Sequence, residues 1–217
     1  MARATKQPAS EPRHPVLSAI NEATKWVVSA AAGLFLLLHH DAPVMWCLLG
    51  SIFASFVNKG LKYAINEQRP ASARKADPGM PSSHANSLAF LATYSAAALL
   101  LAAPQQAAQA RAGGAASIVG LSLFLTWLRV VLGYHTVLQV VVGYSVGAAS
   151  ALGWLALGTQ HVLPSLPDHP AAACALVWAT YAAAAVFAGK NVGAWVKQVV
   201  LARGDQPPAA RPGLAPS

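Results

Sequence analysis

Long apolar runs alternate with short polar stretches along the whole chain, at roughly 24–38, 43–61, 85–103, 115–132, 137–158 and 171–190. None shows the period-two alternation that the strands of a membrane β-barrel require, so each run reads as a helix. A bilayer core takes about twenty helical residues, which these runs reach with their flanks. The pattern predicts an all-α integral membrane protein with six transmembrane helices in one bundle. Gly143, Gly147, Ala148, Ala149, Ala151 and Gly153 crowd the fifth run and predict close packing against a neighbouring helix.

The connecting stretches are polar or rich in turn formers. His39-His40-Asp41 reads as an interfacial turn rather than a metal site, because no third ligand stands nearby. Residues 104–114 read as a small, flexible loop, and residues 159–170, with Pro164, Pro167 and Pro170, as another. Residues 1–23 form a basic, polar leader, for which a short transit peptide and a disordered cytosolic tail are equally open. The membrane domain is expected over 24–190, followed by an amphipathic segment and a Pro-rich tail over 191–217.

Composition agrees with a membrane protein. The 217 residues are 55% hydrophobic and only 10% charged, with a mean hydropathy of +0.45, against about 25% charged in a soluble domain. The net charge of +8 lies in loops between apolar runs, without a stacking-aromatic pattern. It therefore points to a membrane surface and to phosphate rather than to nucleic acid. Cys47 and Cys174 each lie inside an apolar run and read as inert thiols.

Candidate chemistry gathers in residues 62–84, KYAINEQRPASARKADPGMPSSH, where Lys62, Arg69, Arg74 and Lys75 precede Ser82, Ser83 and His84. Cations and hydroxyls at a membrane boundary suit a dianionic phosphate. Arg69 is followed by Pro70, so the second helix is expected to end near Arg69 and to aim Lys62 and Arg69 at one place. His84 opens the third run, where free backbone N–H groups favour an anion. A second cluster, Arg129 and His135, lies between the fourth and fifth runs, with Gln139 one helical turn after His135. Two helices separate the clusters, which places both on one face of the membrane. Most other basic residues share that face, and the positive-inside rule turns it toward the cytosol or its organellar equivalent. Two histidines beside three cations suggest phosphoryl transfer, one attacking phosphorus and the other protonating the leaving oxygen.

Lys62 to Pro70 fits KxxxxxxRP, Pro81 to His84 fits PSGH with serine for glycine, and Arg129 to His135 fits RxxxxxH. In this order the motifs resemble the type 2 phosphatidic acid phosphatase superfamily, whose fold is the helical bundle shared with haloperoxidases. DPGMPSSHANS and FLTWLRVVLGYHTVLQVVVG are similar to the plastid lipid phosphate phosphatases of the epsilon type, with dolichyl-diphosphatases related. The resemblance implies hydrolysis without metal or other cofactor. In it His135 is the nucleophile that becomes a phosphohistidine, and His84 is the general acid. Lys62, Arg69, Ser82, Ser83 and Arg129 would hold the phosphate. Gln139 stands where the wider family has an aspartate that orients and charge-stabilises the nucleophile. If that lost charge is limiting, Gln139→Glu is expected to retain or raise activity.

The implied substrate is phosphatidate, hydrolysed to diacylglycerol. Two alternatives stand beside it, a polyprenyl (dolichyl-type) diphosphate as substrate and a non-catalytic binder of lipid phosphate. The resemblance also implies a plastid inner envelope, with the endoplasmic reticulum as the alternative address, and leaves oligomeric state open.

Overall fold

The computed structural model describes residues 14–39, 41–71, 73, 77–102 and 107–204. The architecture is a bundle of helices: α1 (Pro15–Leu38), α2 (Ala42–Ile65), α3 (Ser83–Leu101), α4 (Ala108–Val131), α5 (Val137–Leu157) and α6 (Pro170–Gly204). Among the described residues, five helical segments are long and apolar enough to cross a membrane: Ala42–Ile65, Ser83–Leu101, Ala108–Val131, Val137–Asp168 and Pro170–Lys190. The first predicted run lies in α1, which is not among these five and carries Asn21, Glu22 and Lys25 in its N-terminal half. Part of the basic leader is therefore helical from Pro15 onward, while residues 1–13, with Arg3, Lys6 and Arg13, lie outside the described residues.

Local signals set most helix ends. Asp41 caps α2 by accepting the Val44 N–H at 3.0 Å, and Pro15 opens α1 at a position where its missing N–H costs nothing. α2 stops at Ile65 rather than near Arg69, because Asn66 turns left-handed at φ 50° and closes the helix. Residues 159–170 are another correction, being helical rather than a loop. α5 passes into a wider π turn at Gly158–Val162, a short helix at Leu163–Ser165 and a 3-10 turn at Leu166–Asp168. Pro164 and Pro167 fall at the start of the short helix and of the 3-10 turn, where the helix changes type. The predicted 104–114 loop is likewise shorter, since α4 begins at Ala108.

α3 is the centre of the bundle, contacting α2, α4 and α5. The small-residue stripe of α5 makes the closest of these contacts. A Cβ on Gly143 would stand 2.6 Å from the Ser82 carbonyl oxygen, and one on Gly147 would collide with the Asn86 carbonyl. Gly153, by contrast, has nothing within 4 Å among the described residues. We expect Gly143→Ala and Gly147→Ala each to push α5 off α3 and cost about 1–3 kcal/mol, while Gly153→Ala leaves the melting temperature in detergent unchanged or slightly raised. Equal melting temperatures for all three variants would refute the close contact.

At the end of the bundle away from Lys62, Trp46 of α2 and Trp154 of α5 stack with centroids 4.3 Å apart. Each indole donates to the other residue's carbonyl, at 3.0 and 2.9 Å. Met45, Phe90, Tyr94, Leu155 and Leu176 complete the apolar core around this pair. Large apolar side chains such as Phe53, Phe124, Trp127 and Trp178 point outward, as contact with lipid requires. The core therefore locks one end of α2, α3 and α5, and leaves the other end to polar groups.

Candidate active site

Four helix ends meet at that polar end. α2 finishes near Lys62, α3 begins at Ser82, α4 finishes with Arg129 in its last turn, and α5 begins after His135. The Ser82 N–H donates to the Gln139 carbonyl at 3.0 Å, which seats the start of α3 against the start of α5. Arg69 Nη1 lies 2.8 Å from His135 Nε2, so the two basic clusters form one constellation.

Lys62 and Arg69 converge although α2 ends before Arg69. Lys62 Nζ reaches Asp77 Oδ2 at 2.8 Å and the Pro78 carbonyl at 2.6 Å. Arg69 reaches the same carboxylate oxygen through Nη2 at 2.9 Å and the Asp77 carbonyl through Nε at 3.0 Å. The Lys62 and Arg69 side chains are 5% and 7% exposed, against 41% for Asp77, so an exposed acid sits on two buried cations. Burial raises the Asp77 pKa, but hydrogen bonds and charge from Lys62 and Arg69 outweigh it and lower the value to about 2. A cavity of about 400 Å³ opens beside this group, lined by Glu67, Gln68, Arg69, Asp77 and Pro78 among others.

Arg129 is buried against Tyr134, its guanidinium carbon 4.2 Å from the ring centroid, and donates to Asn21 Oδ1 of α1 at 2.9 Å. Its carbonyl accepts the N–H groups of Tyr134 and His135 at 3.0 and 3.1 Å, folding the α4–α5 turn tightly around the imidazole. Gly133, at φ 71°, supplies the left-handed residue of that turn. Ser82 is fully buried and its hydroxyl caps α3, accepting the Ala85 N–H at 3.5 Å. The exposed Ser83 takes a 3.0 Å hydrogen bond from Asn58, and His84 follows it in the first turn of α3, half-buried. Arg74 and Lys75 lie outside the described residues.

His135 is fixed from both sides. Its Nδ1 stands 3.1 Å from Gln139 Oε1, which also accepts the Thr136 N–H at 3.3 Å. The Gln139 amide nitrogen faces two acceptors, Glu67 Oε1 at 2.9 Å and the Gln68 carbonyl at 2.8 Å. That environment sets the amide orientation, so Nδ1 carries the proton and Nε2 presents its lone pair to Arg69. Burial, and next the Arg69 charge, hold the imidazole down at a pKa of about 3, against a smaller upward pull from the Gln139 hydrogen bond. His135 is thus a neutral imidazole whose Nε2 accepts from Arg69 at 2.8 Å, beside a cationic seat filled by a carboxylate.

The geometry also bears on the expectation for Gln139→Glu. A carboxylate at residue 139 would oppose the Glu67 carboxylate and the Gln68 carbonyl where an amide now donates to both. Four contributors went unread in the sequence: Glu67, Asp77, Thr136 and Asn21. Thr136-Val137-Leu138-Gln139 does carry a capping-box pattern, and both of its reciprocal hydrogen bonds form. Glu67 and Asp77 are the two acids of residues 62–84, which was the only sign of their part.

The chain is similar to two curated proteins of Arabidopsis thaliana. It is 34% identical to lipid phosphate phosphatase epsilon 2, chloroplastic, over 82% of this chain and 61% of that protein. It is 36% identical to lipid phosphate phosphatase epsilon 1, chloroplastic, over 62% of this chain and 48% of that protein. The chain thus spans about half to three-fifths of the length of these relatives. No solved structure matches it. Residues 43–162, which run from the start of α2 through the π turn after α5 and contain Lys62, Arg69, His84, Arg129 and His135, match the PAP2 superfamily, and the chain belongs to that family.

Proposed function

We propose that this protein is a membrane lipid phosphate phosphatase that hydrolyses phosphatidate to diacylglycerol and phosphate through a phosphohistidine at His135. The observation that carries the reading is the setting of His135, with Nδ1 tied to Gln139 and Nε2 facing Arg69 at 2.8 Å beside the Lys62–Asp77–Arg69 group. A carboxylate bound by two cations occupies the kind of seat a phosphate takes. The substrate phosphate displaces Asp77 and draws Arg69 off Nε2, which frees the nucleophile as the phosphorus arrives.

Nε2 then bonds to phosphorus while the P–O bond to the glycerol oxygen breaks, and His84 gives that oxygen its proton. In the second step water attacks phosphorus, His84 takes a proton from the water, and the N–P bond breaks. Both histidines return to their starting state. Lys62, Arg69 and Arg129 neutralise the phosphate oxygens, with Ser82, Ser83 and the first N–H groups of α3 as further donors. Fixed cations in this role make the reaction independent of added metal.

The test is phosphate release from phosphatidate by protein purified in detergent with EDTA, with labelled phosphate trapped on the enzyme by acid-free quenching. Release with EDTA, and a base-stable, acid-labile label on a peptide containing His135, is the expected result. Release from a polyprenyl diphosphate alone would reassign the substrate. Silence on both, with lipid still bound by folded protein, would leave a lipid-phosphate binder. From the names of the two relatives we infer a plastid membrane as the location, which fractionation checks. Recovery with endoplasmic reticulum would overturn it.

A further inference from the structure

We propose that Glu67 is a positioning residue of the hydrolysis, supplying through Gln139 the negative charge that residue 139 does not itself carry. The proposal rests on the reading of His135 as the nucleophile. Three groups stand in line: His135 Nδ1 lies 3.1 Å from Gln139 Oε1, and Gln139 Nε2 lies 2.9 Å from Glu67 Oε1. As Nε2 bonds to phosphorus, the imidazole becomes electron-poor and its Nδ1–H grows more acidic. The Nδ1 proton stays in place, and the hydrogen bond to Gln139 Oε1 strengthens. An amide that donates to a carboxylate is polarised, and its oxygen becomes a better acceptor. Glu67 thus acts on the imidazole through the amide, without touching it and without taking its proton.

The surroundings of Gln139 are built for this relay. Gln139 is fully buried, and all four polar directions of its amide are used. Residue 139 must accept toward His135 and Thr136 and donate toward Glu67 and Gln68, which an amide does and a carboxylate cannot. The Gly79 N–H donates to the Glu67 carbonyl at 2.6 Å, pinning Glu67's backbone to the loop. A side chain at Gly79 would fall on the Gln139 amide, so glycine there lets the loop close over the relay. The carboxylate thus stands one residue removed from the imidazole, at Glu67 rather than at residue 139.

The test compares Glu67→Gln, Glu67→Ala, Gln139→Glu and the double variant Glu67→Gln/Gln139→Glu, with His135→Ala as reference. Steady-state phosphate release and thermal unfolding are measured on the same detergent preparations. Glu67→Gln keeps a hydrogen-bond acceptor and loses the charge. We expect kcat to fall about tenfold to a hundredfold, the range for a carboxylate that acts through the hydrogen-bonded residue it orients, with KM within about threefold of wild type. Gln139→Glu falls further, because two carboxylates then face each other. In the double variant the carboxylate and the amide have changed places. The carboxylate at residue 139 then accepts from both His135 and the amide at residue 67, and kcat recovers at least about tenfold over Gln139→Glu. Recovery is incomplete because the Gln68 carbonyl loses its donor.

Wild-type kcat in Glu67→Gln and Glu67→Ala, with His135→Ala inactive, would overturn the role of Glu67 and leave the nucleophile intact. So would a kcat loss that follows lost folded protein, or that the double variant fails to recover. Full activity in His135→Ala would instead remove the underlying reading.

Discussion

His135→Ala should lower phosphate release from phosphatidate by at least about 10⁴-fold in kcat, the scale on which loss of a covalent nucleophile falls. That is more than about 5 kcal/mol of barrier. The size of the effect follows from how closely the imidazole is held. It is 3% exposed, held at Nδ1 by Gln139 and at Nε2 by Arg69. The variant should still bind lipid phosphate, since Lys62, Arg69 and Arg129 remain. Vanadate or phosphatidate binding within severalfold of wild type, with no labelled enzyme intermediate, is the expected pairing. Residual turnover above about one per cent of wild type would mean that the phosphoryl group passes directly to water.

The second large effect is expected at Arg69. Arg69→Gln removes, in one substitution, contacts to the Asp77 carboxylate and carbonyl, the Tyr134 carbonyl and His135 Nε2. We expect kcat/KM to fall about 10²–10³-fold, as for loss of a donor to developing charge. Arg69→Lys should recover only part of this, because an ammonium replaces a planar fork. The variant also carries a pH signature. After burial, the Arg69 charge is the largest influence holding the His135 pKa at about 3. Its removal makes the imidazolium less unfavourable, so the pKa rises, while burial keeps it below the ordinary value of about 6.5. His135 then becomes protonated at a higher pH than in wild type. The acid limb of kcat/KM should therefore move upward in pH, and histidine NMR should show His135 titrating where wild type remains neutral. An unmoved limb and an unmoved resonance would show that Arg69 does not act on the imidazole.

Arg69 also shows how far local sequence reaches. The KxxxxxxRP spacing points to two cations meeting, and they do meet, but not by riding the last turns of one helix. Asn66 ends α2, and the following loop carries Arg69 back so that Asp77 Oδ2 can join it to Lys62. The sequence names both cations and says nothing of the acid between them. In the same way Arg129 reads as a third phosphate ligand, while the fold also seats it on Tyr134 and ties it to Asn21, 108 residues earlier.

What the sequence determined by itself is whatever depends on near neighbours and on solvent preference. Apolar runs must become helices in a medium that offers the backbone no hydrogen bonds. Asp41, Ser82 and Thr136 cap the helices they precede, and Gln139 reaches His135 because the capping box folds its side chain back over the residues just before α5. Two helices between the motifs already require both clusters on one side of the bilayer. The tertiary structure alone decided the partners brought together across long separations. Gln139 meets Glu67 across 72 residues, and Trp46 meets Trp154 across 108. It also carried the helix through Pro164 and Pro167, where composition reads as a loop. Such pairings depend on which helix ends the packed bundle sets side by side. The tryptophan pair needs the close approach of α2 and α5 at Gly50 and Gly158, where a Cβ would collide with Trp154 and Trp46, and no periodicity within either helix records which neighbour it will face.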